Sequence, residues 1–240
     1  MADNDRTPEP TLLLTRPRAA SERFAAACRR RWPKAEVVIA PLMEIVPTDE
    51  TAPGGDYAGM IFTSSNSVAF AGPGNGVPAW CVGERTAAAA KRAGFASVMA
   101  GETAADLVTF LAQARPGGRI LHPHGVHQRG DVAERLTGAG LDVQGHAVYD
   151  QRRIPAGPEF AVALRRPRVI VPLFSPRSAA LFADAARPLL EPGAVDGPWI
   201  VAMSPAVRDA LPSGWRQTAT VSERPDADAM VAEIARRIYT

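Results

Sequence analysis

The feature that most restricts this 240-residue chain is that it repeats itself. Phe62-Thr63-Ser64-Ser65-Asn66-Ser67-Val68-Ala69-Phe70 is matched by Phe174-Ser175-Pro176-Arg177-Ser178-Ala179-Ala180-Leu181-Phe182. Val82-Gly83-Glu84-Arg85-Thr86-Ala87 is matched by Ala202-Met203-Ser204-Pro205-Ala206-Val207. Gly101-Glu102 ahead of Asp106-Leu107-Val108 is matched by Ser222-Glu223 ahead of Ala229-Met230-Val231. The offsets are about 112 to 121 residues, the length of one small domain.

Within each repeat, short apolar runs alternate with helical patterns, which argues for parallel α/β architecture. Strands are expected at 11–14, 37–39, 60–62, 80–82, 98–99, 119–121 and 143–149, and helices at 19–31, 67–70, 104–114, up to Arg92 and up to Leu136. His122-Pro123-His124-Gly125 carries a proline and a glycine and is expected to turn. One unit breaks the order of the repeat. The strand–loop–helix at 119–136 has no counterpart after Met230, and its natural counterpart stands upstream at 11–31. Residues 1–40 are therefore expected to complete a domain with 152–240, with 41–151 as an inserted domain. The chain would cross between them near Ala40-Pro41-Leu42 and near Asp150-Gln151-Arg152. The fold class is α/β: two similar parallel-sheet α/β domains joined by a two-segment extended linker.

Composition removes several function classes. With 46% hydrophobic and 22% charged residues the chain is an ordinary globular protein. No window approaches about 18 consecutive apolar residues, so no membrane partner is expected. Residues 1–10 are polar and acidic, unlike a secretory signal, and read as a frayed tail. Cys28 and Cys81 are the only cysteines and fall in helix-like and strand-like stretches, so a reducing cytoplasm is the expected compartment. A net charge of +2 and the absence of a basic run flanked by aromatics give no case for nucleic acid. Arg29-Arg30-Arg31 fits a solvated helix end. Gly72-Pro73-Gly74-Asn75-Gly76 is no dinucleotide fingerprint, and neither a phosphate loop nor a nucleophile elbow is present.

In open α/β sheets, ligands collect beyond the carboxyl ends of the strands, where helix N-termini point. The corresponding loops here carry Thr15, Thr63-Ser64-Ser65, Gly83 with Thr86, Gly125, Ser175 with Ser178, and Ser204. Small residues let an anion approach backbone N–H groups, and hydroxyls add donors. Arg16, Arg85, Arg129 and Arg177 put guanidinium groups in the same loops, suited to bidentate carboxylate binding. For any single loop, helix capping explains the Ser or Thr better. Six such loops across two repeats point to a polyanionic ligand. His122, His124 and His127 are closely spaced, but no carboxylate or thiol clusters beside them, and no metal site is assigned. Tyr149 stands at an expected strand end, where a purely structural tyrosine is the alternative.

The order of these motifs resembles the uroporphyrinogen-III synthase family. Leu12-Leu13-Leu14-Thr15-Arg16-Pro17 resembles its opening strand and loop, and Ile61-Phe62-Thr63-Ser64-Ser65-Asn66-Ser67-Val68 its F-T-S-x-N-A-V segment. Val82-Gly83-Glu84-Arg85-Thr86-Ala87 resembles V-G-x-x-T-A, Val148-Tyr149 the V-Y after the middle domain, and Phe174-Ser175-Pro176-Arg177-Ser178 the F-x-S-P-S counterpart. Two departures stand out. Ala202-Met203-Ser204-Pro205-Ala206 occupies the place of an I-G-x-x-T-A segment, and His124-Gly125 the place of a common Arg-Gly pair.

The resemblance implies a monomeric, cytoplasmic enzyme of tetrapyrrole (heme) biosynthesis that takes hydroxymethylbilane, a linear tetrapyrrole bearing eight carboxylates. Loss of the hydroxyl gives an azafulvene, attack through a spirocyclic intermediate inverts ring D, and the ring closes as uroporphyrinogen III with loss of water. Pyrrole nitrogen electrons drive the departure, so no metal or organic cofactor is implied. Tyr149 is the implied proton donor or positioner, since a phenol is protonated at neutral pH. Thr15, Arg16, Thr63, Ser64, Ser65, Gly83, Thr86, Gly125, Arg129, Ser175, Arg177, Ser178 and Ser204 are the expected substrate contacts. The alternatives are a non-catalytic two-lobed protein that binds an anionic ligand, or an inactive paralogue.

Overall fold

The computed structural model describes residues 10–49, 56–127, 130–190 and 197–239. Arg129 lies outside the described residues, as does the acidic segment 1–9. The chain separates into two compact units, one of Met1–Glu44 with Arg153–Thr240 and one of Ile45–Arg152.

The elements run in chain order as follows among the described residues. The first stretch holds β1 (Thr11–Leu14), α1 (Arg18–Arg31) and β2 (Glu36–Ile39). The middle of the chain holds β3 (Met43–Pro47), β4 (Gly59–Phe62), α2 (Ser65–Val68), β5 (Pro78–Val82), α3 (Glu84–Arg92) and β6 (Ala96–Gly101). It continues with α4 (Ala104–Ala114), β7 (Ile120–Gly125), α5 (Val132–Gly138) and β8 (Val143–Arg153). The last stretch holds α6 (Pro158–Leu164), β9 (Val169–Leu173), α7 (Pro176–Ala186), β10 (Trp199–Ala202), α8 (Pro205–Asp209), α9 (Ser213–Thr218), β11 (Thr220–Val221) and α10 (Ala227–Ile238). None of these helices is long and apolar enough to cross a membrane.

One sheet has the order β11-β10-β9-β1-β2, parallel throughout. The other has the order β3-β8-β7-β4-β5-β6 and is parallel from β8 to β6. Thus β1 sits in the sheet of the C-terminal stretch, between β2 and β9. Laying one order on the other puts β7, β4, β5 and β6 where β1, β9, β10 and β11 stand, so the sequence repeat is also a topological one. The strand β3 runs against β8: the Thr48 N–H donates to the Val148 carbonyl, and the Ile154 N–H to the Leu42 carbonyl.

The central strands are continuous apolar runs because helices cover both faces of each sheet. Side chains alternate along β1 with a period of two. Leu13 packs with Phe160 of α6 and Phe182 of α7. Leu12 and Leu14 face the other way, onto Phe24 of α1 and Met230 and Ile234 of α10. In the second sheet Ile61 meets Leu107 and Leu111 of α4 and Leu136 of α5. Its neighbour Phe62 meets Val68, Ala90 and Phe95 on the opposite face. Trimming one of these buried leucines to alanine costs about 2–5 kcal/mol.

Each sheet reverses its strand order at one place, between β4 and β7 and between β9 and β1. Pairing ends early at both. The ladder between β4 and β7 stops at Met60↔Leu121, and that between β1 and β9 at Leu12↔Ile170. Beyond the last pair stands a proline in each case, Pro123 in β7 and Pro172 in β9, which lacks a ladder donor. β4 and β7, like β9 and β1, are therefore not paired with each other towards their carboxyl ends, although each still pairs with its outer neighbour. This is the position at which open α/β sheets take up ligands.

Two sequence expectations need correction. His122-Pro123-His124-Gly125 is strand rather than turn, because β7 pairs with β8 through His122↔Gly145, Pro123↔His146 and His124↔Ala147. At this level β4 no longer pairs with β7, so β7 has become an edge, where proline is admitted. Tyr149 likewise lies inside β8 rather than at its end, opposite Gly125 after a bulge at His124/Gly125.

Candidate active site

In the unit formed by Ile45–Arg152, the β4/β7 crevice gathers several of the expected residues. Thr63 follows β4, and its Oγ1 lies 3.3 Å from Nε2 of His122 on β7. His122 is 1% exposed, and burial, with His124 beside it, pushes its imidazole down to about 3. The ring is therefore neutral at physiological pH. The His122 and His124 ring centroids are 5.2 Å apart. Among the described residues, no group of three or more His, Cys, Asp or Glu is placed to hold a metal ion.

Tyr149 enters the same region from β8. It is 4% exposed and stacks on Phe70, with centroids 6.0 Å apart and planes at 21°. Its ring lies over Gly125, where an added Cβ would come within 2.7 Å of Cζ and 2.9 Å of the phenol oxygen. Glycine at 125 thus makes the place that the tyrosine ring fills. Thr63, Gly125 and Tyr149 are brought to one end of the sheet by three strands, and Ser64 and Ser65 open α2 beside them.

The neighbouring β5 loop behaves differently. Gly83 has φ +72°, which an L side chain resists, and its N–H already donates to the Gly101 carbonyl at 2.8 Å. Thr86 is buried in the first turn of α3. Both residues shape the turn, and the Gly83 amide is already bonded within the fold.

In the other unit, the β9/β1 crevice is flanked by Thr15-Arg16 after β1 and Phe174-Ser175 after β9. The Arg16 guanidinium lies 4.0 Å over the Phe174 ring centroid, a cation–π contact that orients a flexible side chain. Thr15 is 1% exposed, and its Oγ1 has no hydrogen-bond partner among the described residues. Ser175 and Ser178 form a capping box on α7: the Ser178 N–H donates to Ser175 Oγ at 3.1 Å, and the Ser175 N–H donates to Ser178 Oγ at 2.9 Å. Arg177 stands in the first turn of the same helix. Ser204 is the N-cap of α8 but makes no cap bond with its side chain. Ser64 does cap α2, accepting from the Asn66 N–H at 3.2 Å.

The expected residues among those described thus fall into two sets, one in each unit, and into two chemical kinds. Ser64, Ser175 and Ser178 are engaged by helix termini, whereas Thr63 and Ser204 keep hydroxyl capacity. Sequence spacing groups His122 only with His124 and His127; its contact with Thr63, 59 residues away in sequence, is visible only in the fold.

Comparison with known proteins follows the same lines. The sequence family described as Uroporphyrinogen-III synthase HemD matches residues 22–232. A comparison with curated protein sequences gave no match. Among solved structures, uroporphyrinogen-III synthetase from Helicobacter pylori is similar with a TM-score of 0.67 at 13% identity, over 95% of this chain and 99% of that one. That likeness is one of fold. A variant of uroporphyrinogen III synthase from the extremely thermophilic bacterium Thermus thermophilus gives a TM-score of 0.49 at 17% identity, over 96% and 99% of the two chains.

Proposed function

The chain belongs to the uroporphyrinogen-III synthase family, and from that premise we propose which of its residues carry the reaction. The activity is that of a lyase of tetrapyrrole biosynthesis: hydroxymethylbilane is cyclised with inversion of ring D and loss of water. Two demands fall on the protein. It must hold a flexible polycarboxylate in one compact shape, and it must assist departure of the hydroxyl.

For the first demand, Thr15, Arg16, Ser175, Arg177, Ser178 and Ser204 form one carboxylate-binding set, and Thr63, Ser64, Ser65, Gly83, Thr86 and Gly125 the other. Each set supplies hydroxyls, small residues or guanidinium groups at the carboxyl ends of parallel strands. For the second, Tyr149 is the proton donor or positioner. The observation that carries this assignment is the packing of its ring between Phe70 and Gly125, which fixes the phenol within the β4/β7 region. The buried, free thiols of Cys28 and Cys81 support a reducing cytoplasm as the compartment. The reading needs one chain alone, and light scattering should return a monomer.

The test feeds freshly prepared hydroxymethylbilane to the protein and separates the isomers after oxidation. Spontaneous closure gives mainly isomer I, so isomer III in excess reports catalysis directly. Isomer I alone, with tight binding of the substrate, would make the protein a binder rather than an enzyme.

A further inference from the structure

The β4/β7 crevice contains a polar side chain that the assignments above leave unused. His122 is 1% exposed, yet it carries two ring nitrogens. Nε2 faces Thr63 Oγ1 at 3.3 Å, and Nδ1 is buried with no hydrogen-bond partner among the described residues. The position is not arbitrary. Counting from the matched Phe62 and Phe174 through the strand registers, His122 occupies the step that Thr15 occupies in the other sheet. At that step both sheets bury a polar residue with one polar atom that finds no partner among the described residues.

We propose that His122 is a positioning residue: its Nε2–H donates to Thr63 Oγ1 and turns the Thr63 hydroxyl hydrogen outward, to a substrate carboxylate. This rests on the assignment of Thr63 as a substrate contact. Two tautomers of a neutral imidazole could make the observed contact. If Nε2 were the acceptor, Nδ1 would carry a buried N–H with no partner. The Thr63 hydrogen would also be spent on the imidazole, leaving only oxygen lone pairs towards a negatively charged ligand. If Nε2–H is the donor, the unpartnered Nδ1 is a lone pair, the less stringent of the two orphans. Thr63 then keeps its one hydrogen for an anion. Only the second arrangement suits a carboxylate site. The neighbouring His124 is engaged through its Nδ1, 2.9 Å from the Gly125 carbonyl, which accepts only. Burial keeps the His122 ring from taking a second proton, so the arrangement persists across neutral pH. Thr63 itself is only partly buried and can meet a ligand.

The experiment has a spectroscopic arm and a kinetic arm. In the full chain labelled with 15N-histidine, nitrogen–proton correlations at neutral pH should show His122 protonated at Nε2 and bare at Nδ1. A proton on Nδ1, alone or with Nε2, overturns the proposal whatever the variants do. In the kinetic arm, formation of isomer III is measured for the parent, His122→Phe, His122→Gln, Thr63→Val and the double variant His122→Phe/Thr63→Val. A hydrogen bond to a charged group is worth about tenfold or more. His122→Phe should therefore raise KM about tenfold with kcat nearly unchanged, and His122→Gln, whose amide nitrogen reaches the Nε2 position, should restore most of it. In the double variant, removing His122 should add nothing to the effect of Thr63→Val. Additive effects would overturn the action of His122 through Thr63 while leaving Thr63 as a substrate contact. A Thr63→Val enzyme with parental KM would remove that contact and the proposal together.

Discussion

The ring of Tyr149 occupies the space that a side chain on Gly125 would need, with the phenol oxygen 2.9 Å from where that Cβ would stand. The backbone of Gly125 lies outside the left-handed region, and the nearest atoms opposing an alanine there all belong to the tyrosine ring. Gly125→Ala should destabilise the protein by about 1–3 kcal/mol through overpacking. It should also lower the rate of isomer III formation by displacing the phenol. Urea unfolding separates the two effects. In a Tyr149→Ala background, Gly125→Ala should cost little further stability; an unchanged penalty there would mean that the glycine is needed for another reason.

Tyr149→Phe tests the hydroxyl without disturbing the ring. Phenylalanine preserves the stack on Phe70 and the fit over Gly125, so the melting temperature should hardly move. General acid assistance is worth about 10²–10⁴ in rate, and kcat for isomer III should fall within that range. A variant as active as the parent would leave Tyr149 a packing residue.

Ser175 distinguishes a cap from a ligand. Its Oγ accepts from the Ser178 N–H at 3.1 Å, so Ser175→Ala should lower stability by about 0.5–2 kcal/mol. Ser175→Asp keeps a good cap acceptor but sets a carboxylate against the carboxylates of the substrate. Stability should then be retained while KM rises several-fold. If KM stays at the parental value, Ser175 serves the helix alone.

The architecture was legible because it is written in short-range signals that recur. Apolar runs such as Thr11–Leu14, followed by polar turns and helical periodicity, give parallel strands covered on both faces, and the pairing of β1 with β9 follows from matching the two repeats. Local signals misled where tertiary pairing overrode them. Pro123 and Gly125 announce a turn, yet β8 pairs with the strand that contains them. The strand β3, with its mixed burial and terminal Pro47, offered no clean alternation to read. At the candidate site, sequence could place hydroxyls in loops but not show which are engaged. That Ser175 and Ser178 bond each other, that Thr63 meets a histidine 59 residues away, and that Gly125 makes room for Tyr149 are facts of geometry.

The same histidine should shape the response to acid. Burial, together with the nearby His124, pushes His122 down to about 3 from an ordinary 6.5. The unfolded chain therefore takes up a proton on this residue at a higher pH than the folded chain does. Its contribution to stability is complete above pH 6.5 and is lost progressively as pH falls from there towards about 3. The limiting slope for one proton is about 1.4 kcal/mol per pH unit. The acidic helix caps act in a lower window. Asp106 is held below the usual carboxylate range by hydrogen bonds from Thr103, and Asp226 chiefly by the Ala229 N–H. Their stabilising contributions fade only once pH drops through the carboxylate range itself, below about 4. Urea midpoints measured between pH 7 and pH 4.5 should therefore fall in the parent and fall much less in His122→Gln, which has nothing to protonate. Equal slopes in the two proteins would show that His122 is not the buried neutral group responsible.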